Sequence, residues 1–183
     1  MRASEASKKL ERYRRLTIQH NLFTPATGFH RHGPYVAAES VRQAWEDSVS
    51  SKSLPEGPAI YVHVPFCKET RCTYCMYHSR TDHTESVRDA YLEYLDAMMA
   101  YFSSPLSDER CMALYIGGGT PSLLSPSKLA NLIKSVRQYF RFESDAESTC
   151  EMSFMTATSE HRKAVRDMGV NRVSYGLQSM EQN

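Results

Sequence analysis

The chain has 183 residues, of which 41% are hydrophobic, enough for one buried core. Its 22 basic and 21 acidic side chains nearly cancel, which argues against an overall field directed at nucleic acid or an anionic membrane. No run of about 18 apolar residues could span a bilayer, and the first thirty residues lack the apolar core of a secretion signal.

Residues 1–58 are predicted to form a helical extension that ends in a linker. The basic residues near its start favour a solvated first helix over an organelle transit peptide. A second helix is predicted to pack through one face, formed by Val41, Ala44, Trp45 and Val49. Pro55, Gly57 and Pro58 then break the chain before a different pattern begins.

From residue 59 onward, the pattern is strand, loop and helix, repeated. Short apolar strands are predicted at 59–64, 112–116, 149–152 and 172–175, with three helices between them. This alternation predicts a parallel α/β sheet, about half of an eightfold barrel. We therefore expect residues 59–183 to be the first half of a barrel domain that is incomplete in this sequence.

The three helices of this region carry clear signals for their ends and inner faces. Ser125 is predicted to cap the second of them with Pro126 at its first position, and Thr158 begins the third, which Gly169 ends in a left-handed cap. The predicted inner faces are Val87, Tyr91, Tyr94, Leu95, Met98 and Phe102 in the first helix, and Leu129, Leu132, Ile133, Val136 and Phe140 in the second.

Three of the five cysteines, Cys67, Cys72 and Cys75, lie within nine residues directly after the first strand. In a chain without a secretion signal, such a cluster indicates metal binding in a reducing cytoplasm rather than a disulfide framework. Three thiolates can hold three irons of a four-iron cluster and leave the fourth iron open. With His78 they could instead form a structural zinc site, and the cysteines alone do not separate the two. Cys111 and Cys150 are predicted to be small core residues.

Four motifs around this loop carry a family resemblance. They are Tyr-Val-His-Val-Pro-Phe-Cys at 61–67, Gly-Gly-Gly-Thr-Pro-Ser at 117–122, Glu151, and Asn-Arg-Val-Ser-Tyr-Gly-Leu-Gln-Ser at 171–179. Together they resemble the radical S-adenosylmethionine superfamily, within it the group of oxygen-independent coproporphyrinogen III oxidase. The family usually has three residues between the first two cysteines, whereas this chain has four, so its loop must bulge.

The resemblance implies a role for each motif. Cys67, Cys72 and Cys75 would hold a 4Fe-4S cluster, and the residues that would contact S-adenosylmethionine are Tyr61, Tyr74, Gly117, Gly118, Gly119, Thr120, Glu151 and Gln178. Close approach and exposed N–H groups in the glycine loop would suit the methionine moiety. A charged residue in an apolar strand needs a partner, which for Glu151 is either the cofactor or a structural ion pair.

Tyr61 and His63 alternate on the first strand and so share one face. If that face looks into the barrel, both border the reaction chamber and are the candidate catalytic residues, whereas His63 alone would more often be a core histidine. The resemblance further implies a partial TIM barrel that cleaves S-adenosylmethionine reductively to a 5′-deoxyadenosyl radical, then decarboxylates propionates of a tetrapyrrole-like substrate in haem biosynthesis. An electron donor such as flavodoxin or ferredoxin would be its partner. The alternatives are a haem-degrading radical enzyme or methyltransferase, a non-enzymatic haem chaperone, and a zinc-stabilised module.

Overall fold

A computed structural model describes residues 38–50, 57–68 and 72–178. The described chain has four helices and four strands. In chain order they are α1 (Ala38–Ser50), β1 (Ala59–Val64), α2 (Glu85–Phe102), β2 (Arg110–Gly118), α3 (Pro126–Tyr139), β3 (Arg141–Met152), α4 (Ser159–Asp167) and β4 (Arg172–Tyr175). The predicted first helix and most of the predicted linker lie outside the described residues.

The four strands form one parallel sheet in the order β1-β2-β3-β4, and α2, α3 and α4 connect each strand to the next. This confirms the predicted α/β class. Parallel strands need such crossovers, because a hairpin can only join antiparallel neighbours. Two strands are longer than the prediction: β2 includes Gly117 and Gly118, and β3 starts at Arg141. The polar start of β3 lacks the apolar pattern of a buried strand. The register of the β2–β3 pair shifts between Cys111 and Ala113 on β2.

The core lies between the sheet and its helices. Val64, Ile116, Leu129 and Ile133 are fully buried there, with the rest of the α3 face predicted from the sequence also buried. In α2 the prediction holds only for the first turns, since Met99 and Tyr101 are buried near its end while Met98 and Phe102 are only half-buried. At this end of α2, the buried positions are therefore Met99 and Tyr101 in place of the predicted Met98 and Phe102.

Helix α1 packs on the end of α2 through only half of the predicted face. Trp45 and Val49 contact the core, but Val41 and Ala44 are exposed. Arg42 takes their place: its guanidinium donates to the Tyr101 carbonyl at 2.9 Å and lies 4.7 Å from the Tyr101 ring centroid. Carbonyls at a helix end lack intrahelical donors, so a cation there satisfies them. The boundary at residue 58 between extension and barrel remains a prediction.

Helix ends follow the predicted signals. The Ser125 side chain accepts from the N–H of Lys128 at the start of α3, and Thr158 and His161 form a capping box at the start of α4. Gly169 has a φ of 84° just after α4, as the left-handed cap requires. Within the described residues, no helix is long and apolar enough to cross a membrane.

Candidate cofactor site at the carboxyl edge of the sheet

The carboxyl ends of the strands place the predicted motifs along one edge of the sheet. Val64 pairs with Gly118, and Met152 pairs with Tyr175, so the loops after all four strands leave from neighbouring positions. Loops at this edge carry the active sites of barrel enzymes. The cysteine loop (67–80) follows β1 and the glycine loop (117–122) begins at the end of β2.

The glycine loop lies against its neighbours too closely for side chains. A Cβ on Gly117 would stand 2.6 Å from Oε2 of Glu151, and one on Gly119 would stand 2.5 Å from the Phe66 carbonyl oxygen. Gly118 has a φ of 113°, which other residues rarely adopt. Glycine at 117 and 119 therefore lets the loop pack directly against Glu151 and Phe66, whereas the predicted close approach to the methionine moiety of the cofactor stays a prediction.

The predicted exposed N–H groups of this loop are wrong for three of its residues. Gly118 N donates to Glu151 Oε2 at 3.2 Å, Gly119 N donates to the Val64 carbonyl at 2.8 Å, and Thr120 N donates to the Phe66 carbonyl at 2.7 Å. The last two bonds continue the β1–β2 pairing beyond the strand end. These donors stabilise the loop itself and are not free for a ligand.

Glu151 on β3 is held by hydrogen bonds rather than by an ion pair among the described residues. Its Oε1 accepts from the Tyr115 hydroxyl at 2.6 Å, and its Oε2 accepts from Gly118 N. A carboxylate has about four lone-pair sites, so both oxygens can still accept from an ammonium or hydroxyl group. The hydrogen bond to Glu151, followed by burial, raises the pKa of Tyr115 to about 12.

Sequence reasoning missed Tyr115 as a site residue. It stands two residues before Gly117 on β2, so the period of two places both on one face. That signal was available, but its meaning depends on the pairing of Tyr115 with Thr149, two residues before Glu151 on β3.

Tyr61 and His63 do share the predicted face, beside Tyr115 and Glu151. The Tyr61 ring is 51% exposed and stacks on the Tyr115 ring at 5.9 Å. His63 Nε2 lies 2.7 Å from the His78 carbonyl oxygen, which can only accept, so Nε2 carries a proton. In the neutral ring, Nδ1 then accepts from the Tyr61 hydroxyl at 3.1 Å. Burial, then the charge of Glu151, raises the pKa of Tyr61 to about 12.

The cysteine loop is held at its base by backbone hydrogen bonds, and most of its residues from 72 to 77 are exposed. Cys67 N donates to the Arg80 carbonyl at 2.8 Å, and Arg80 N donates to the Pro65 carbonyl at 2.6 Å. Cys67 and Cys75 are half-buried, Cys72 is exposed, and none of the three forms a disulfide. In the described part of the chain no three His, Cys, Asp or Glu side chains converge on one metal position, which holds equally for the predicted cluster and for the zinc set with His78.

Two other predicted contact residues, Tyr74 and Gln178, follow β1 and β4 at this same edge of the sheet. Tyr74 is 62% exposed, and a hydrogen bond with Cys72 raises its pKa. Gln178 lies just beyond β4, where its amide nitrogen lies 2.7 Å from the position of a Cβ on Gly176. Cys111 and Cys150 are fully buried in β2 and β3, as predicted, and burial raises their pKa values to about 11 and about 12.

The residue types at this edge fit the predicted cofactors. Three thiols on one loop suit an iron–sulfur cluster or another soft metal such as zinc better than a hard cation, because thiolates prefer soft metals. The carboxylate of Glu151 lies against Gly117 and is already oriented by two donors. This arrangement defines the class: a parallel α/β sheet with a cysteine loop and a glycine loop at its carboxyl edge, as in radical S-adenosylmethionine proteins.

Comparisons with known proteins specify the group. No family model matches the chain. Anaerobilin synthase of Escherichia coli O157:H7 is 34% identical over 155 residues, which cover 79% of this chain and 32% of that protein. Oxygen-independent coproporphyrinogen III oxidase of Helicobacter pylori is 30% identical over 145 residues, 78% of this chain and 31% of the relative. The haem chaperone HemW of Haemophilus influenzae is 31% identical over 132 residues, 69% of this chain and 34% of the relative.

A solved structure of the same group has a similar fold. The chain matches the radical SAM enzyme coproporphyrinogen III oxidase (HemN) of Escherichia coli with a TM-score of 0.69 and 25% identity, covering 90% of this chain and 36% of that one. The chain is homologous to radical S-adenosylmethionine proteins of the coproporphyrinogen oxidase, haem chaperone and anaerobilin synthase group. It spans about one third of the length of these relatives.

Proposed function

We propose that the chain is the cofactor-binding part of a radical S-adenosylmethionine enzyme of the oxygen-independent coproporphyrinogen III oxidase type. The observation that supports this most directly is the oriented carboxylate of Glu151, which lies against Gly117 at the same edge of the sheet as a loop with three cysteines. A carboxylate that two internal donors hold in place, and that can still accept hydrogen bonds, suits a bound ligand with hydrogen-bond donors.

Each residue has a defined task in this proposal. Cys67, Cys72 and Cys75 hold a 4Fe-4S cluster, which when bound supplies the electron that cleaves S-adenosylmethionine to methionine and a 5′-deoxyadenosyl radical. Glu151 accepts from the amino or ribose groups of that cofactor, and its two internal donors keep it in place. Tyr74 and Gln178 complete the cofactor pocket, as does the backbone of Gly117–Thr120.

Tyr61 and His63 border the reaction chamber. Their hydrogen bond and the stacking of Tyr61 on Tyr115 form an aromatic wall that limits access of water to the cofactor. The hydroxyl of Tyr61, whose pKa is raised to about 12, donates to His63 Nδ1 and so holds the two side chains together at the edge of the chamber. The substrate class is a tetrapyrrole with propionate side chains, and a flavodoxin or ferredoxin supplies electrons in the reducing cytoplasm.

The chain itself can be tested by anoxic reconstitution with iron and sulfide. We expect about four irons and four sulfides per chain and a brown colour. Cys72→Ala should lose most of the cluster, whereas Cys111→Ala, the matched change of a core cysteine, should keep it. A colourless protein without iron or acid-labile sulfide rejects the proposal, and stoichiometric zinc in its place supports a zinc-stabilised module.

A haem chaperone is the second candidate, because the relatives include HemW. The two functions differ in what the cluster-loaded protein does with S-adenosylmethionine and a reductant. Formation of 5′-deoxyadenosine supports the enzyme. Stoichiometric haem binding without that product supports the chaperone, so haem titration and product analysis on one preparation separate them.

A further inference from the structure

His83 joins the first cysteine of the loop to helix α2. Its Nε2 lies 2.9 Å from the carbonyl oxygen of Cys67, and its Nδ1 lies 2.8 Å from Nη1 of Arg88. The imidazole also packs on the Phe66 ring, with 4.9 Å between the ring centroids. His83 therefore contacts the chain on both sides of the peptide bond that leads into Cys67.

The chemistry of the two partners determines which nitrogen carries the proton. A guanidinium only donates hydrogen bonds, so Nδ1 of His83 must accept from Arg88. A carbonyl oxygen only accepts, so Nε2 must donate to Cys67. Both conditions are met by one form of the ring, the neutral tautomer with its proton on Nε2.

Both residues stand on a rigid part of the fold. Thr84, which follows His83, caps α2 by accepting from Val87 N, and Arg88 N donates to the Thr84 carbonyl within the first turn. The other end of the cysteine loop is held in a similar way, because His63 on β1 donates to the His78 carbonyl. One histidine-to-carbonyl bond thus lies at each end of the segment that carries the three thiols.

We propose that His83 and Arg88 are positioning residues for the iron–sulfur cluster, which orient the first thiolate ligand by holding the Cys67 carbonyl. This inference rests on the proposed function and names a further part of that site. Partners behind a metal ligand orient it, and their loss typically weakens metal binding 10- to 100-fold. The bond is especially useful here because four residues separate Cys67 from Cys72, and a stretch of that length does not by itself fix the position of the first ligand.

The test compares two changes at His83. His83→Phe keeps a ring against Phe66 but removes the donor, whereas His83→Gln keeps an N–H donor of similar reach. In the reconstituted chain, we expect His83→Phe to release iron to a chelator roughly tenfold faster than wild type and His83→Gln to stay within about threefold. The electron paramagnetic resonance spectrum of the reduced cluster should change in the Phe variant and be restored in the Gln variant.

His161 provides a matched control. Its Nδ1 accepts from Thr158 N, and its buried Nε2 donates to the Leu124 carbonyl at 2.9 Å, so it makes the same kind of bond away from the cysteine loop. His161→Phe should lower the melting temperature without changing the rate of iron release or the spectrum. Equal iron release from His83→Phe and His161→Phe would mean that His83 is merely structural and would overturn the inference.

A second pair of measurements keeps the inference testable if His83→Phe does not fold. Arg88→Met leaves the His83 ring in place and should speed iron release by a smaller factor, about threefold. In the metal-free chain, the nitrogen chemical shifts of His83 should show the Nε2–H tautomer, and a proton on Nδ1 would refute the arrangement. A wild-type chain that binds no cluster refutes the proposed function, whereas a stable wild-type cluster unaffected by these variants refutes only the role of His83.

Discussion

The cysteine loop and the glycine loop leave neighbouring strands at one edge of the sheet, yet they are built by opposite means. The cysteine loop is fixed at its base and presents exposed side chains, among them Cys72 and Tyr74. The glycine loop packs against Glu151 and Phe66 at Gly117 and Gly119, where a Cβ would clash with them. One loop depends on the side chains it carries, and the other on their absence.

This difference predicts where the chain tolerates a change of length. The stretch between Cys67 and Cys72 belongs to a loop whose two ends are held from outside, at Cys67 and at His78. An insertion near Gly119 would instead break two backbone bonds to β1 and its continuation. We therefore expect changes of equal size to have unequal effects in the two loops.

The largest expected contrast is in thiol reactivity. The cysteines of the cysteine loop are half-buried or exposed and form no disulfide, whereas Cys111 and Cys150 are fully buried in the strands behind the loops. Burial raises the pKa of Cys111 to about 11 and that of Cys150 to about 12, so both stay as unreactive thiols at neutral pH. In the native metal-free chain, iodoacetamide should modify the two buried cysteines at least about a hundredfold more slowly than Cys72.

Mass spectrometry of peptides after timed quenching would measure this contrast. The same reaction in urea is the control, since all five cysteines should then react at similar rates. Modification of Cys150 as fast as that of Cys72 in the native protein would show that the strands behind the glycine loop are not closed.

The next effect concerns the packed loop. Gly119→Ala would place a Cβ 2.5 Å from the Phe66 carbonyl oxygen, which is backbone and cannot rotate away. We expect the free energy of unfolding to fall by about 2 kcal/mol, as for other overpacked sites. Gly176→Ala is the matched control, because its Cβ would meet only the amide nitrogen at the end of the Gln178 side chain.

Urea unfolding of the metal-free variants tests this expectation. Gly176→Ala and the loop change Cys72→Ala should each stay within about 0.5 kcal/mol of wild type, as exposed sites generally do. If Gly119→Ala were as stable as these two variants, the glycine loop would be no more tightly packed than the cysteine loop.

The same contrast explains how much could be read from the sequence. Local signals predicted the helix starts at Ser125 and Thr158, the glycine cap at Gly169 and the four parallel strands, because caps and apolar runs act over a few residues. The position of the glycine loop was predicted as well. Its N–H groups were not, because their acceptors, Val64 and Phe66, come from another strand and loop.

Residues whose role arises only from tertiary contacts were missed in the same way. Tyr115 has its hydrogen-bond partner in Glu151, 36 residues away, and His83 has one in a carbonyl 16 residues earlier. Arg42 replaced the predicted apolar contacts of α1 because the end of α2 offers an unpaired carbonyl. Periodicity indicates which face a residue occupies but not which partner it meets there.

The smallest effect that we predict measures the hydrogen bond from Tyr115 that holds Glu151 beside the glycine loop. The hydrogen bond from Tyr115 to Glu151 is the main reason that the pKa of Tyr115 is raised to about 12. Glu151→Gln removes the negative charge and should lower the pKa of Tyr115 toward its ordinary value of 10.0. The pKa of Tyr61 should fall less, because burial is its first cause and the charge of Glu151 only its second.

Ultraviolet absorbance of tyrosinate during an alkaline titration would report these shifts, with Tyr115→Phe and Tyr61→Phe assigning the two steps. Tyr91 is the internal control, since its raised pKa comes first from burial and receives no contribution from Glu151. A group with a folded-state pKa above its unfolded value adds stability at lower pH and loses it as pH rises through the folded pKa. Wild type should therefore lose the Tyr115 contribution between about pH 10 and pH 12, whereas Glu151→Gln should lack most of it throughout. An unchanged titration of Tyr115 in the variant would mean that Tyr115 does not hold the Glu151 carboxylate beside the glycine loop.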